Sequence, residues 1–309
     1  MMEKKTKGFI AAPVAAYHPD GTVNLDIIPS YAAFLRSNGV VGAFINGTTG
    51  EGFSLTPDER KAIAKQWVKA DSDEFRIIVH VSHTCAASAG DMARHAAQIG
   101  ASGVGEMGPI YYRPNNVEEL TDCAAQTAAQ APDLAYYYYH MPSINGVCFP
   151  MVDFLRSAEP KIPNLAGIKY THEDLVDFEF CRQFNDGKYD ILYGRDETLL
   201  CALALGCRGA VGSTYNVMAP LYTRLVDAFD SGNLSEAGLL QQASMKVIQL
   251  LAGTGSFNSA LKEVMKMIGL DLGGVRSPLK NIEPAKIAGL KNGLEELGFF
   301  DFCSKQLPD

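Results

Sequence analysis

The sequence predicts an α/β protein folded as a (β/α)8 barrel with appended C-terminal helices. Three observations predict it. Short apolar runs alternate with longer amphipathic ones, eight times over, between residues 8 and 232. The apolar runs are nearly continuous, as strands of a parallel sheet covered on both faces must be. Polar residues able to do chemistry recur just after those runs, at the strand ends where such barrels carry their sites.

The units follow in order. "GFIAAPV" precedes a helical pattern over 25–37, and "VVGAFIN" precedes one over 57–70. "FRIIVHV" leads to 85–99, "SGVGEMG" to 117–131, and "LAYYYYH" to 150–158. "LAGIKY" leads to 174–184, "YDILYG" to 198–205, and "GCRGAVGS" to a further helical run. Eight βα units in one chain favour a closed barrel over an open sheet. From residue 233 onward the pattern is helical: "SEAGLLQQASMKVIQLLAG", "FNSALKEVMKMIGL" and a final helix over 285–297, with "GGVRSPLKNIEPAK" as a loop. The expected organisation is a catalytic barrel, 1–232, and a helical segment, 233–309, packed on it as one structural unit.

Composition excludes several classes. The 309 residues are 47% hydrophobic and 20% charged, an ordinary globular balance. The net charge is −8 and Lys/Arg residues form no sustained run, so a nucleic-acid partner is not expected. No stretch reaches the roughly 18 apolar residues of a membrane span. The start, "MEKKTKGFIAAPVAA", imitates a leader, but Pro13 and the turn-like "YHPDGT" make it a first barrel strand. Seven scattered cysteines without a CxxC pair fit free thiols and a cytoplasmic location.

Lys169 ends the apolar run "LAGIKY" at a strand tip. Desolvation in a barrel mouth lowers an amine's pKa, and a neutral amine forms a Schiff base with a ketone. The alternative is a lysine that snorkels to solvent or pairs with a carboxylate. In "NGTTGEG", Gly47 and Gly50 free the backbone to aim amides at a small carboxylate, with Thr48 and Thr49 as hydroxyl donors; an ordinary loop is the alternative. Tyr139 closes a run of four tyrosines and shares a strand face with Tyr137, so it is the candidate proton-transfer phenol. Asp196 and Glu197 in "GRDE" suit a polyol, acid–base work or part of a metal site. His80 and His83, the one close histidine pair in the sequence, read as hydrogen-bonded structure instead of metal ligands.

Taken together and in order, "GTTGEG", "YYHMPSINGV", "GIKYT", "GRDE" and "GAVGSTYN" resemble the pyruvate-dependent class I aldolases, the dihydrodipicolinate synthase/N-acetylneuraminate lyase family. The resemblance spans about residues 8–270. It implies a TIM barrel, a homotetramer, and no metal or organic cofactor. It makes Lys169 the Schiff-base lysine and Tyr139 the proton relay. Thr48 and the Thr49 amide would hold a pyruvyl carboxylate, and Tyr111 in "GPIYYRP" would act in the neighbouring subunit's site. Within the family, the pattern looks like the sialic-acid lyases. Gly194, Asp196, Glu197, Gly212 and Ser213 would bind the sugar-derived polyol, and Thr171 a hydroxyl near the breaking bond. Sialic acid, pyruvate and N-acetylmannosamine are the implied small-molecule partners. Ile144 stands where the dihydrodipicolinate-forming branch carries a carboxylate-gripping arginine. The alternative is another pyruvate aldolase, acting on 2-keto-3-deoxy sugar acids or making dihydrodipicolinate. Arg195, His140 and the tail after about Gly273 match no pattern of the family.

Overall fold

The computed structural model describes residues 5–305. Eight parallel strands close in chain order: β1 (Gly8–Ala11), β2 (Gly42–Ile45), β3 (Arg76–His80), β4 (Gly103–Met107), β5 (Ala135–His140), β6 (Leu165–Tyr170), β7 (Asp190–Tyr193) and β8 (Gly209–Gly212). β8 pairs with β1, so the sheet has no free edge.

Around it run α1 (Ile28–Ser37), α2 (Pro57–Trp67), α3 (Ala86–Gln98), α4 (Val117–Ala128), α5 (Pro142–Asn145), α6 (Met151–Ala158), α7 (Leu175–Gly187), α8 (Leu199–Ala204) and α9 (Tyr215–Asp230). The C-terminal segment adds α10 (Leu234–Gly253), α11 (Phe257–Met267), α12 (Pro284–Glu296) and α13 (Phe299–Phe302). None of the described helices is long and apolar enough to cross a membrane.

Local chemistry sets the helix starts that frame the strand ends. Thr56 and Glu59 form a capping box at α2, directly after the "NGTTGEG" turn. Asp174 accepts from the amides of Val176 and Asp177 and starts α7 four residues beyond β6. The first helix begins at Ile28, later than the predicted 25, because Tyr17–Val23 first closes a small antiparallel bridge and Pro29 occupies the opening turn. The predicted stop at 184 coincides with a real break: Phe184, Asn185 and Asp186 leave helical geometry inside α7. α5 and α13 went unpredicted, since a four-residue helix shows no periodicity.

Two apolar layers result. Inside the barrel lie Ile10, Phe44, Ile78, Met107, Tyr137, Tyr139, Leu192 and Val211. Tyr136, Tyr138, Ile168 and Tyr170 face outward into the larger helix–sheet core. Every strand but β6 supplies a buried apolar side chain to the inner cluster, and β6 adds only the partly buried Ala166. In β6, Lys169 takes that place, paired in register with Tyr139 on one side and Leu192 on the other.

Candidate active site

The cavity at the C-terminal mouth of the barrel measures about 290 Å³. Its wall contains Thr48, Thr49, Tyr139, Lys169, Thr171, Gly194, Asp196, Glu197, Gly212 and Ser213. One strand-end rim therefore gathers these predicted residues from β2, β5, β6, β7 and β8.

Lys169 is 4% exposed, and its Nζ stands 4.0 Å from the Tyr139 ring centroid and 4.1 Å from that of Phe44. No carboxylate pairs with it among the described residues. Burial lowers its pKa to about 7, against a smaller upward pull from the Asp196 charge. A neutral amine is therefore accessible near neutral pH, which Schiff-base chemistry requires. Gly105 makes room for this arrangement, because a Cβ there would press into the Phe44 ring.

Tyr139 Oη lies 3.5 Å from Thr48 Oγ1 and donates to Met141 Sδ at 2.9 Å. Burial raises its pKa to about 12, so the phenol stays protonated. The Thr171 hydroxyl is near enough to temper that rise but has no hydrogen bond of normal geometry among the described residues.

The Thr48–Thr49 turn is shaped differently from expectation. Positive φ falls on Asn46 (59°) and Glu51 (53°), not on Gly47 or Gly50. The glycines serve close approach instead: a Cβ at Gly52 would overlap the Asn46 carbonyl, and one at Gly50 would crowd the Pro13 carbonyl at 3.1 Å. The amides of Thr48 and Thr49 have no acceptor among the described residues, so the turn carries two uncommitted donors beside two hydroxyls at the cavity wall.

On the β7–β8 side of the cavity, Asp196 Oδ2 accepts from Thr214 N at 2.8 Å and Thr214 Oγ1 at 2.6 Å. Oδ1 is buried without a partner, and burial raises the carboxyl pKa to about 6. A Cβ at Gly212 would collide with this carboxylate, so only glycine leaves it room. Arg195, unassigned in the sequence, pairs with Glu197 at 2.8 Å and Glu173 at 2.6 Å and so orients Glu197.

Tyr111 does not line this cavity; it is 77% exposed, edge-on to Tyr112. Ile144 also lies outside it, half-exposed on α5. His140 is buried against Tyr170 and His172, and burial lowers its pKa to about 3. His80 is fully engaged by Asn46 O and Ser82 Oγ. Among the described residues, no three His, Cys, Asp or Glu groups are placed to hold a metal.

The sequence reading missed Met141, Thr214, Ile248, Phe257 and Asn258. Met141 and Thr214 lie inside the motifs "YYHMPSINGV" and "GAVGSTYN", where only their neighbours Tyr139, Gly212 and Ser213 carry an expected role. Ile248, Phe257 and Asn258 come from α10 and α11, where no strand-end signature marks them.

The model of the dihydrodipicolinate synthetase family matches residues 5–297. The chain belongs to that family. Among its relatives, N-acetylneuraminate lyase of Danio rerio is 39% identical over 280 residues, 89% of this chain and 91% of that one. Among solved structures, Proteus mirabilis N-acetylneuraminate lyase superposes with a TM-score of 0.92 at 35% identity, covering 96% of this chain and all of that one. The native N-acetylneuraminate lyase of Aliivibrio salmonicida gives 0.92 at 34% identity, covering 96% and 98%. Both structural neighbours of this dihydrodipicolinate synthetase family member share the eight-stranded barrel and its C-terminal helices across nearly the whole chain.

Proposed function

We propose that this protein is a Schiff-base aldolase that reversibly cleaves N-acetylneuraminate to N-acetyl-D-mannosamine and pyruvate. The observation that carries the reading is Lys169, an amine with no carboxylate partner among the described residues, lining a cavity together with the Thr48–Thr49 turn and the polar ends of β7 and β8. The similarity to N-acetylneuraminate lyases over most of the chain supports the substrate.

In this reading Thr48 and the Thr49 amide hold the substrate carboxylate. Lys169 adds to the C2 ketone of the open-chain sugar acid and expels water, giving an iminium. The C3–C4 bond then breaks, its electrons moving into the iminium to leave an enamine. The C4 hydroxyl proton passes to Tyr139. With a pKa near 12 the phenol serves as a relay, accepting one proton as it hands another toward Thr48. The enamine is protonated at carbon, and hydrolysis frees pyruvate and the amine. Thr171, Gly194, Asp196, Glu197, Gly212 and Ser213 receive the polyol, whose hydroxyls would each cost about 1–3 kcal/mol if buried unpaired.

The exposed Tyr111 completes a neighbouring subunit's relay in a homotetramer, so assembly and activity are linked. The seven free cysteines suit action in the cytoplasm. Pyruvate release from N-acetylneuraminate, read by a lactate dehydrogenase couple, tests the reading, with Lys169→Ala as control. Turnover that vanishes in the variant is expected. A folded wild-type tetramer with no turnover overturns the sialic-acid assignment and points to smaller keto-sugar acids.

A further inference from the structure

Asp196 and Glu197 are carried by one turn of 3-10 helix, Asp196–Thr198, and not by β7 itself. Such a turn has poorer hydrogen-bond geometry than an α-helix and needs outside support to hold side chains in place. One side chain ties its first residue to the start of α8. Gln241, buried in α10, donates from Nε2 to the Asp196 carbonyl at 3.1 Å and accepts at Oε1 from the Leu200 amide at 2.8 Å. Its remaining Nε2 hydrogen goes to Ser244 Oγ at 2.8 Å. Gln241 is 4% exposed and does not line the cavity, so this amide has no other evident task.

The Thr48–Thr49 turn is anchored from the same C-terminal segment. Lys262 on α11 donates to Glu51 Oε1 at 2.7 Å, and the Arg276 amide donates to Glu51 Oε2 at 2.9 Å. Asn258 donates to the Thr49 carbonyl at 3.2 Å. Glu51 holds a left-handed backbone that a side-chain-bearing residue adopts at a cost, and it persists where its surroundings fix it. Both charges of the Lys262–Glu51 pair are buried, so the loop's position is tied to α11.

We propose that these two anchors position the two halves of the cavity separately: Gln241 the Asp196–Glu197 wall, Lys262 the Thr48–Thr49 turn. The inference rests on the aldolase reading above. Both are positioning residues, because neither reaches the cavity. The carboxylate half meets pyruvate and the sugar acid alike; the polyol half meets only the sugar acid. Loss of each anchor therefore has a different signature.

The test compares Gln241→Met and Lys262→Met with wild type in two assays. One is the pyruvate concentration for half-maximal borohydride trapping on Lys169; the other is KM for N-acetylneuraminate cleavage. Gln241→Met should leave pyruvate trapping within about twofold of wild type and raise KM about tenfold, the equivalent of weakening roughly one hydrogen bond to the substrate. For Lys262→Met about a tenfold rise in both is expected. If Lys262→Met does not fold, Lys262→Met combined with Glu51→Gln removes both buried charges and carries the same expectation. Parallel losses in both assays for Gln241→Met, an unchanged KM in that variant, or unchanged pyruvate trapping without the Lys262 anchor would overturn the proposal. A wild type that traps no pyruvate would instead overturn the aldolase reading itself, so the two failures are distinguishable.

Discussion

Lys169 lies between two aromatic rings and opposite an acid, and its chemistry follows from that balance. Desolvation favours the neutral amine; the Asp196 charge, present above a pH of about 6, favours the cation. Desolvation dominates, so the amine titrates near 7. The sign of the pH dependence is then fixed. Borohydride trapping of pyruvate should rise with pH through about 7 as the neutral amine accumulates. Asp196→Asn removes that carboxylate's upward pull on the Lys169 pKa, so the acid limb should move to lower pH, measured as the pH profile of the trapping rate. A limb that moves upward would contradict the assigned electrostatics. Because pyruvate lacks the polyol, this readout is separate from any role of Asp196 in sugar binding.

Strands and turns set where these side chains go, and their starts are built from short-range chemistry. The Thr56–Glu59 capping box sits between the Thr48–Thr49 turn and α2. Thr56→Ala should cost about 1 kcal/mol of stability, measured by denaturant unfolding, with little change in pyruvate trapping. Most of the strand order was legible in the sequence, because a parallel strand buried on both faces reads as an apolar run and a lysine ending such a run stands out. The alternation that placed Tyr137 and Tyr139 together is seen in the barrel interior. What the sequence hid was three-dimensional. The left-handed residues of the binding turn are Asn46 and Glu51, because glycine was needed there for close approach and not for positive φ. Arg195 reads as an unassigned charge until Glu173 and Glu197 are seen on either side of it. Ile248, Phe257 and Asn258 reach the cavity from helices far along the chain, where helical periodicity records only that a face is buried.

At the scale of the whole molecule, the strand ends carry the cavity's polar side chains, and α10 and α11 hydrogen-bond to the segments that line it. The tip holding Tyr111 and Tyr112 leaves two large aromatic side chains almost fully exposed on this chain. If Tyr111 serves a neighbouring subunit, Tyr111→Phe and Lys169→Ala should each lose activity yet complement one another when co-expressed. A mixed assembly then contains sites with Lys169 from one chain and Tyr111 from the other. Activity of the mixture no greater than that of the two variants alone would place Tyr111 outside the relay. The most direct test of the central claim is borohydride reduction of the protein during incubation with N-acetylneuraminate, followed by mass analysis of its peptides. A single covalent adduct is expected on the Lys169 peptide, absent in Lys169→Ala, alongside release of N-acetylmannosamine. Cleavage of the sugar acid without an adduct at Lys169, or an adduct on another lysine, would contradict it.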